Sequence, residues 1–315
     1  MGNRHFSQIV LFFGIFFRYS RQVMKKAYAL GLLTVLFWST SATAFKISLA
    51  HLDVLQLLFY AIVTAVLVLG GFLVATRRLG ALFSMDAPAL GRALVLGFLN
   101  PFVYYWMAVK AYDLLPAQVV QPINYTWVIT LTLLSVPLLK QPLRSYQIIA
   151  ALVCYCGVVV ISRDSGTPGM EMNYWGVFLA VSCTVIWALY WIYNVKSQAD
   201  PLVGIFCNFL FSLPFCGLAC ALLSGFSISH VHGLYAAIWV GVFEFGLAFI
   251  TWVTALRLAR DNTHGVTNLI FLTPFVSLVF IHFILGEALL IQTWIGLGLI
   301  LSGILFQKWF ERKSM

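Results

Sequence analysis

Glu244, in the run Gly241-Val-Phe-Glu-Phe-Gly246, is an acid set deep among apolar residues. A carboxylate there costs several kcal/mol at the centre of a bilayer unless it is protonated, hydrated or paired. Three roles suit it: exchanging a proton, pairing with the ammonium of a substrate, or standing as a neutral acid hydrogen-bonded between helices. The amides of Asn100, Asn124, Asn208, Asn268 and Gln121 lie in similar runs. Lipid offers them no partners, so they either join helices or line a wet cavity. Asn100-Pro101 and Gln121-Pro122 are the more suggestive pairs, because proline removes a backbone donor and leaves a carbonyl free. Pro274 marks a comparable break. Tyr104, Tyr105, Trp106, Tyr125 and Trp127 fall beside these breaks and could wall a small organic solute or hold an ammonium over a ring face. Tyr28, Tyr174 and Trp175 fit an interfacial belt better, and Lys46, Lys110 and His282 stand near helix ends, where long or polar side chains reach water.

Other chemistry is missing. The sequence has no Ser/His/Asp set, no His-Glu-x-x-His, no phosphate-cradling loop and no paired carboxylates, which argues against an enzyme and against transport driven by the chain's own ATP hydrolysis. The glycine-containing stretch from Asp164 to Gly169 reads as a turn. All six cysteines lie in apolar runs, and Cys154 and Cys156 lack the two-residue spacer of a zinc knuckle, so no disulfide, metal or cofactor is expected.

The elements that hold these residues follow from composition. Of 315 residues, 62% are hydrophobic and 9% charged, and mean hydropathy is +0.95, against about 25% charged in soluble domains. A soluble fold is excluded. The net charge of +9 does not point to nucleic acid, because the basic residues sit between apolar runs and set orientation instead. Cutting at charges, prolines and glycine-rich joints gives ten helices, over 27–46, 54–75, 93–112, 116–139, 145–162, 174–195, 202–223, 235–257, 264–285 and 291–310. Placing the amino terminus in the cytoplasm leaves only Lys46, Lys110 and Arg163, of 19 basic residues, on the far side; Lys196 and Arg260 count among the cytoplasmic ones. Both termini are therefore expected in the cytoplasm. Residues 1–26 read as a cytoplasmic tail or an upstream translation start, since Met24-Lys25-Lys26 directly precedes the first long apolar run.

Sliding the chain against itself by 146–150 residues brings the halves into register. Phe37, Trp38 and Lys46 meet Ile186, Trp187 and Lys196; Asp53, Phe59 and Gly70 meet Asp200, Phe206 and Gly217; Trp106 meets Trp252 and Gly157 meets Gly303. Two five-helix units, 27–162 and 174–310, are expected. Five being odd, the second begins on the opposite face. Such inverted halves can exchange conformations around a site near the midplane, which is the arrangement for alternating access.

Phe37-Trp38-Ser39, Gln121 to Trp127 followed by Leu134 to Lys140, Pro274, Gly286-Glu287 and the glycines from Gly296 to Gly303 resemble the EamA family of the drug/metabolite transporter superfamily across residues 25–310. The segment Asn124, Tyr125 and Trp127 is similar to one in bacterial aromatic amino-acid exporters of that superfamily, where tyrosine and tryptophan line the central cavity. The resemblance implies an all-α integral membrane protein of ten transmembrane helices. The expected function is export of a small metabolite such as an amino acid across a bacterial inner membrane. Trp38, Asn100, Tyr104, Tyr105, Asn124, Tyr125, Trp127, Glu244 and Trp252 are expected to line the substrate cavity, with protons as a coupling ion. A lipid or lipid-linked sugar flippase of the same fold, or a membrane assembly protein that transports nothing, are the alternatives.

Overall fold

The computed structural model describes residues 2–140, 142–163, 171–194, 200–228, 230–259 and 263–313. The stretch from Asp164 to Gly169, Lys196 and Arg260 lie outside the described residues. Among those described there are helices and no strands. Nine helices are long and apolar enough to cross a membrane: α1 (Gln22–Leu49), α2 (Val54–Ala75), α3 (Ala87–Leu114), α4 (Ala117–Leu139), α6 (Tyr174–Tyr193), α7 (Pro201–Leu223), α8 (Val231–Leu258), α9 (Gly265–Leu285) and α10 (Ile291–Glu311). The tenth, α5 (Ser145–Ile161), is shorter; its 17 residues reach about 26 Å at 1.5 Å per residue, just under a hydrocarbon core of about 30 Å. Helix α1 is the end of an unbroken helix Gly2–Leu49. Two starts fall earlier than the hydropathy pattern suggests, at Ala87 for α3 and Val231 for α8, because Asp86 caps α3 through the Ala89 N–H at 2.9 Å and His230 precedes α8 in extended backbone.

Capping explains why corresponding helices begin where they do. Asp53 accepts from the N–H groups of Leu55 and Gln56 at 2.8 and 3.0 Å, and Gln56 returns its Oε1 to the Asp53 N–H at 3.2 Å. This reciprocal pair satisfies donors that a helix start leaves orphaned. Asp200, 147 residues on, caps α7 through the Leu202 N–H at 2.9 Å, with Pro201 at the first helical position. It also binds Arg257 at 2.9 Å and Arg78 at 3.6 Å. The start of α4 is held from another helix pair: Glu287 accepts from the N–H groups of Ala117 and Gln118 at 2.9 and 3.0 Å. Gly286 makes that return possible, since its φ of +71° is a left-handed turn that side chains resist.

The packing is pairwise reciprocal. Helix α1 packs on α8 and α9, and α6 on α3 and α4; α2 packs on α7 and α8, and α7 on α2 and α3; α5 packs on α10. Individual contacts repeat the exchange. A Cβ on Gly70 would lie 3.2 Å from Phe206, and one on Gly217 would lie 3.5 Å from Phe59. In the α5–α10 seam, Gly157 meets the Gly296 carbonyl and Gly303 meets the Ala150 carbonyl, two contacts related by the same 146-residue offset. Small residues let these backbones approach, as helices in lipid require when no hydrophobic force joins them. Large apolar side chains such as Leu67, Phe178, Leu222 and Ile291 project outward and stay exposed, which suits hydrocarbon as the solvent.

Four helices are broken in mid-course. Helix α3 widens into a π segment at Phe98–Val103, where Asn100 leaves helical geometry with φ −148° and ψ 117° and the Asn100–Pro101 bond is cis. Helix α4 stops at Asn124 and restarts at Trp127, with Tyr125 and Thr126 bonding back only three residues. Helix α9 tightens at Leu269–Leu272 before Pro274. Helix α8 is π-helical over Val240–Leu247, around Glu244, where no proline is present to announce it. Such segments recur at functional sites because they re-aim side chains within a helix.

Candidate functional site

The widened turn of α8 presents Glu244 to α1 and α3. Ser41 donates to Glu244 Oε2, and the Tyr105 hydroxyl donates to Oε1 at 3.0 Å. Both carboxylate oxygens are thus held by neutral donors, one from each neighbouring helix. No lysine or arginine takes part in these bonds.

Around this group lies a cavity of about 100 Å³. Trp38, Tyr104, Tyr105, Asn124, Tyr125, Trp127, Glu244 and Trp252 all line it. Trp38 tilts against Trp252 at 5.6 Å and meets Phe249 edge-on at 6.2 Å. Across the cavity Trp187 lies against Tyr104 at 4.7 Å and meets Trp127 edge-on at 6.4 Å. Trp38 lies in the first half of the chain and Trp187 in the second, so both halves supply walls. Asn124 Nδ2 donates to the Tyr104 hydroxyl at 3.1 Å, and the Tyr112 hydroxyl donates to Gln121 Oε1. The space is smaller than the ~300 Å³ at which small-molecule pockets begin.

Asn100 is placed differently. It is buried in the break of α3, whose π segment packs on α7, and it does not line the cavity. Trp106 faces outward and is 37% exposed. Of the other amides, Asn208 donates to the Tyr190 hydroxyl at 3.1 Å and Asn268 accepts from Lys308 at 3.1 Å; both join helices. Gln121 lines the cavity together with Ser41, Tyr112, Trp187 and Trp191, side chains the expected set omits. The signal for them was present: Ser41 follows Trp38 by three residues on one helical face, Trp187 is the repeat counterpart of Trp38, and Trp191 lies one turn beyond it. Lys46 and Lys110 are engaged near helix ends, Lys46 with the carbonyls of Tyr112 and Leu115 at 2.9 and 3.2 Å and Lys110 with Asp113 at 2.6 Å.

A broken-helix bundle with a central aromatic cavity can be compared with known proteins. The sequence profile of the EamA-like transporter family matches residues 25–163 and again residues 174–307. The chain belongs to the EamA-like transporter family. The membership places it in the drug/metabolite transporter superfamily and makes it a membrane transporter of small molecules, among relatives named as transporters and not as enzymes. The chain is 24% identical to an uncharacterized transporter of Archaeoglobus fulgidus over 287 residues, 89% of this chain and 98% of the relative. It is 25% identical to the aromatic amino acid exporter YddG of Ancylobacter novellus over 170 residues, 53% of this chain and 59% of that one. A solved crystal structure, 22% identical, covers 92% of this chain and 99% of its own with a TM-score of 0.64, which shows a shared fold.

Proposed function

We propose that this EamA-like transporter is a secondary transporter that exports a small amine-bearing metabolite, with amino acids in the expected class, by alternating access through the cavity around Glu244. The observation that carries the reading is one carboxylate, held by Ser41 and Tyr105, in a cavity whose aromatic walls come from both halves of the chain. In this reading residues 27–162 and 174–310 are the two repeats and residues 1–26 a cytoplasmic tail. The protein sits in a bacterial inner membrane with both termini inside, an orientation that the distribution of Lys and Arg supports. The cavity is lined by Trp38, Tyr104, Tyr105, Asn124, Tyr125, Trp127, Glu244 and Trp252, with Asn100 serving the break in α3. Glu244 is neutralised in turn by a proton and by the substrate's ammonium, so protons are the coupling ion. The export similarity to YddG supports the direction of flux and the aromatic class.

One observation bears on the flippase alternative. An apolar groove of about 620 Å³ opens laterally between α1, α8 and α9, lined by residues such as Phe37, Trp239, Phe243 and Ile284. A flippase needs a lateral opening, but it also needs cations for the headgroup, and among the described residues His232 is the one basic side chain lining this groove, with no Lys or Arg. Metabolite transport is therefore the better-supported reading.

The test is counterflow in proteoliposomes with labelled aromatic amino acids and amines, at several pH values, for wild type and Glu244→Gln. Saturable flux that depends on pH in wild type and is lost or made pH-independent by the substitution is expected. Failure to carry any such solute, or flux in the Gln variant with an unchanged pH profile, defeats the proposal.

A further inference from the structure

The charges at the cavity do not balance for a zwitterion. Among the described residues that line it, Glu244 is the only carboxylate and no Lys, Arg or His is present. Three bases on the helices that line it are committed elsewhere: Lys46 to two backbone carbonyls, Lys110 to Asp113 and Arg257 to Asp200. A substrate ammonium has a partner in Glu244 and ring faces in Trp38, Trp127, Trp187 and Trp252, which attract a cation through their quadrupoles. A substrate carboxylate has neither. It would be desolvated without a counter-charge, which low-dielectric surroundings penalise heavily. The lining does offer neutral donors, among them the Gln121 amide and tryptophan indoles. Neutral N–H groups suit a hydroxyl or ether oxygen and fall short of balancing a full negative charge.

From this count we propose that the site selects organic monocations, aromatic primary amines above all, over the amino acids that share their side chains. The inference rests on the reading of the Glu244 cavity as the transport site. The ligand's positive charge and the Glu244 carboxylate neutralise each other, so the loaded cavity is uncharged overall. An amino acid in the same place leaves one negative charge unpaired. Removing the carboxylate, or masking it as an ester, is the step that creates affinity.

The probes are phenethylamine and phenylalanine methyl ester, both monocations, phenylalanine, a zwitterion, and N-acetylphenylalanine, an anion, all of which share one ring. Binding to the full chain in lipid nanodiscs is measured by titration calorimetry, and each probe is tested as competitor and as counterflow substrate in proteoliposomes. The amine and the ester are expected to bind at least tenfold tighter than phenylalanine, and N-acetylphenylalanine not to bind. Glu244→Gln should remove most of the preference, and Glu244→Asp should keep its order. The ligand series in wild type stands without either variant. Phenylalanine binding and moving as well as phenethylamine, or better, overturns the charge selection and leaves the transport reading intact. Absence of binding and flux for all four overturns both.

Discussion

The seam between α5 and α10 gives the sharpest quantitative test of the fold. A Cβ on Gly296 would lie 2.7 Å from the Gly157 carbonyl oxygen and 2.3 Å from Ile161 Cγ1, whereas ordinary contact begins at 3.4 Å. The isoleucine can rotate away, but the carbonyl belongs to a helix and cannot. Gly296→Ala therefore forces the two helices apart by about 0.7 Å, enough to forfeit a quarter to a half of the dispersion attraction along the seam. Overpacking of this kind costs about 1–3 kcal/mol, or a melting temperature lower by roughly 3–8 °C. The control lies two residues away on the same helix: a Cβ on Gly298 meets nothing within 4 Å, so Gly298→Ala should be neutral or slightly stabilising through helix propensity, by up to ~1 kcal/mol. The assay is thermal unfolding of purified protein in detergent, followed by monodisperse recovery on size exclusion. Equal melting temperatures for the two variants, or a lower one for Gly298→Ala, would refute the packing argument.

Tyr105→Phe leaves Glu244 with Ser41 alone; hydrogen bonds to charged groups are worth about 1.5–3 kcal/mol, so the melting temperature should fall by several degrees and apparent substrate affinity in counterflow should change about tenfold. Glu287→Gln removes the charge that caps the start of α4 through Ala117 and Gln118, and should lower stability by about 1 kcal/mol in a thermal melt. At Asp200, burial opposes the charged form, but hydrogen bonds from Arg257 and the Leu202 N–H, with the charges of Arg257 and Arg78, outweigh it and hold the carboxyl below its usual range. A lowered folded-state value means stabilisation that is present above the unfolded value, near 3.9, and lost as pH falls through the folded one. Asp200→Asn should therefore melt earlier than wild type at neutral pH, by an amount worth about 0.2–1 kcal/mol, with the gap closing at acidic pH and in high salt. A gap that is constant with pH would rule out the ion network.

The spans were legible because a bilayer demands long apolar runs; Asp53 and Asp200 stood out only as matching positions of the two halves, and their capping of helix starts is visible in the structure alone. The cavity wall was legible where polarity and helix-breaking coincide in one segment, as at Asn124 and Tyr125. Glu244 stood out by the cost of its charge. The π segment of α8 did not, since the backbone widens there without proline, through packing against α1 and α2. Asn100 looked like a lining residue for the same reason that Asn124 did; its break, however, turns toward α7, a tertiary choice that local sequence does not record. Trp187 was visible only by carrying the role of Trp38 across the repeat. The tolerance of the α5–α10 seam for nothing larger than glycine likewise depends on a partner helix more than a hundred residues away.

A Cβ on Gly217 would meet the ring of Phe59 at 3.5 Å, and one on Gly70 would meet the ring of Phe206 at 3.2 Å. Since each contact is the other's counterpart, a motion that trades one spacing for the other loses on one side about what it gains on the opposite side. In the proposed alternating-access cycle, such paired contacts favour neither face. Whatever occupies the cavity then decides which way the molecule faces, and a modest difference in its affinity for the two forms suffices.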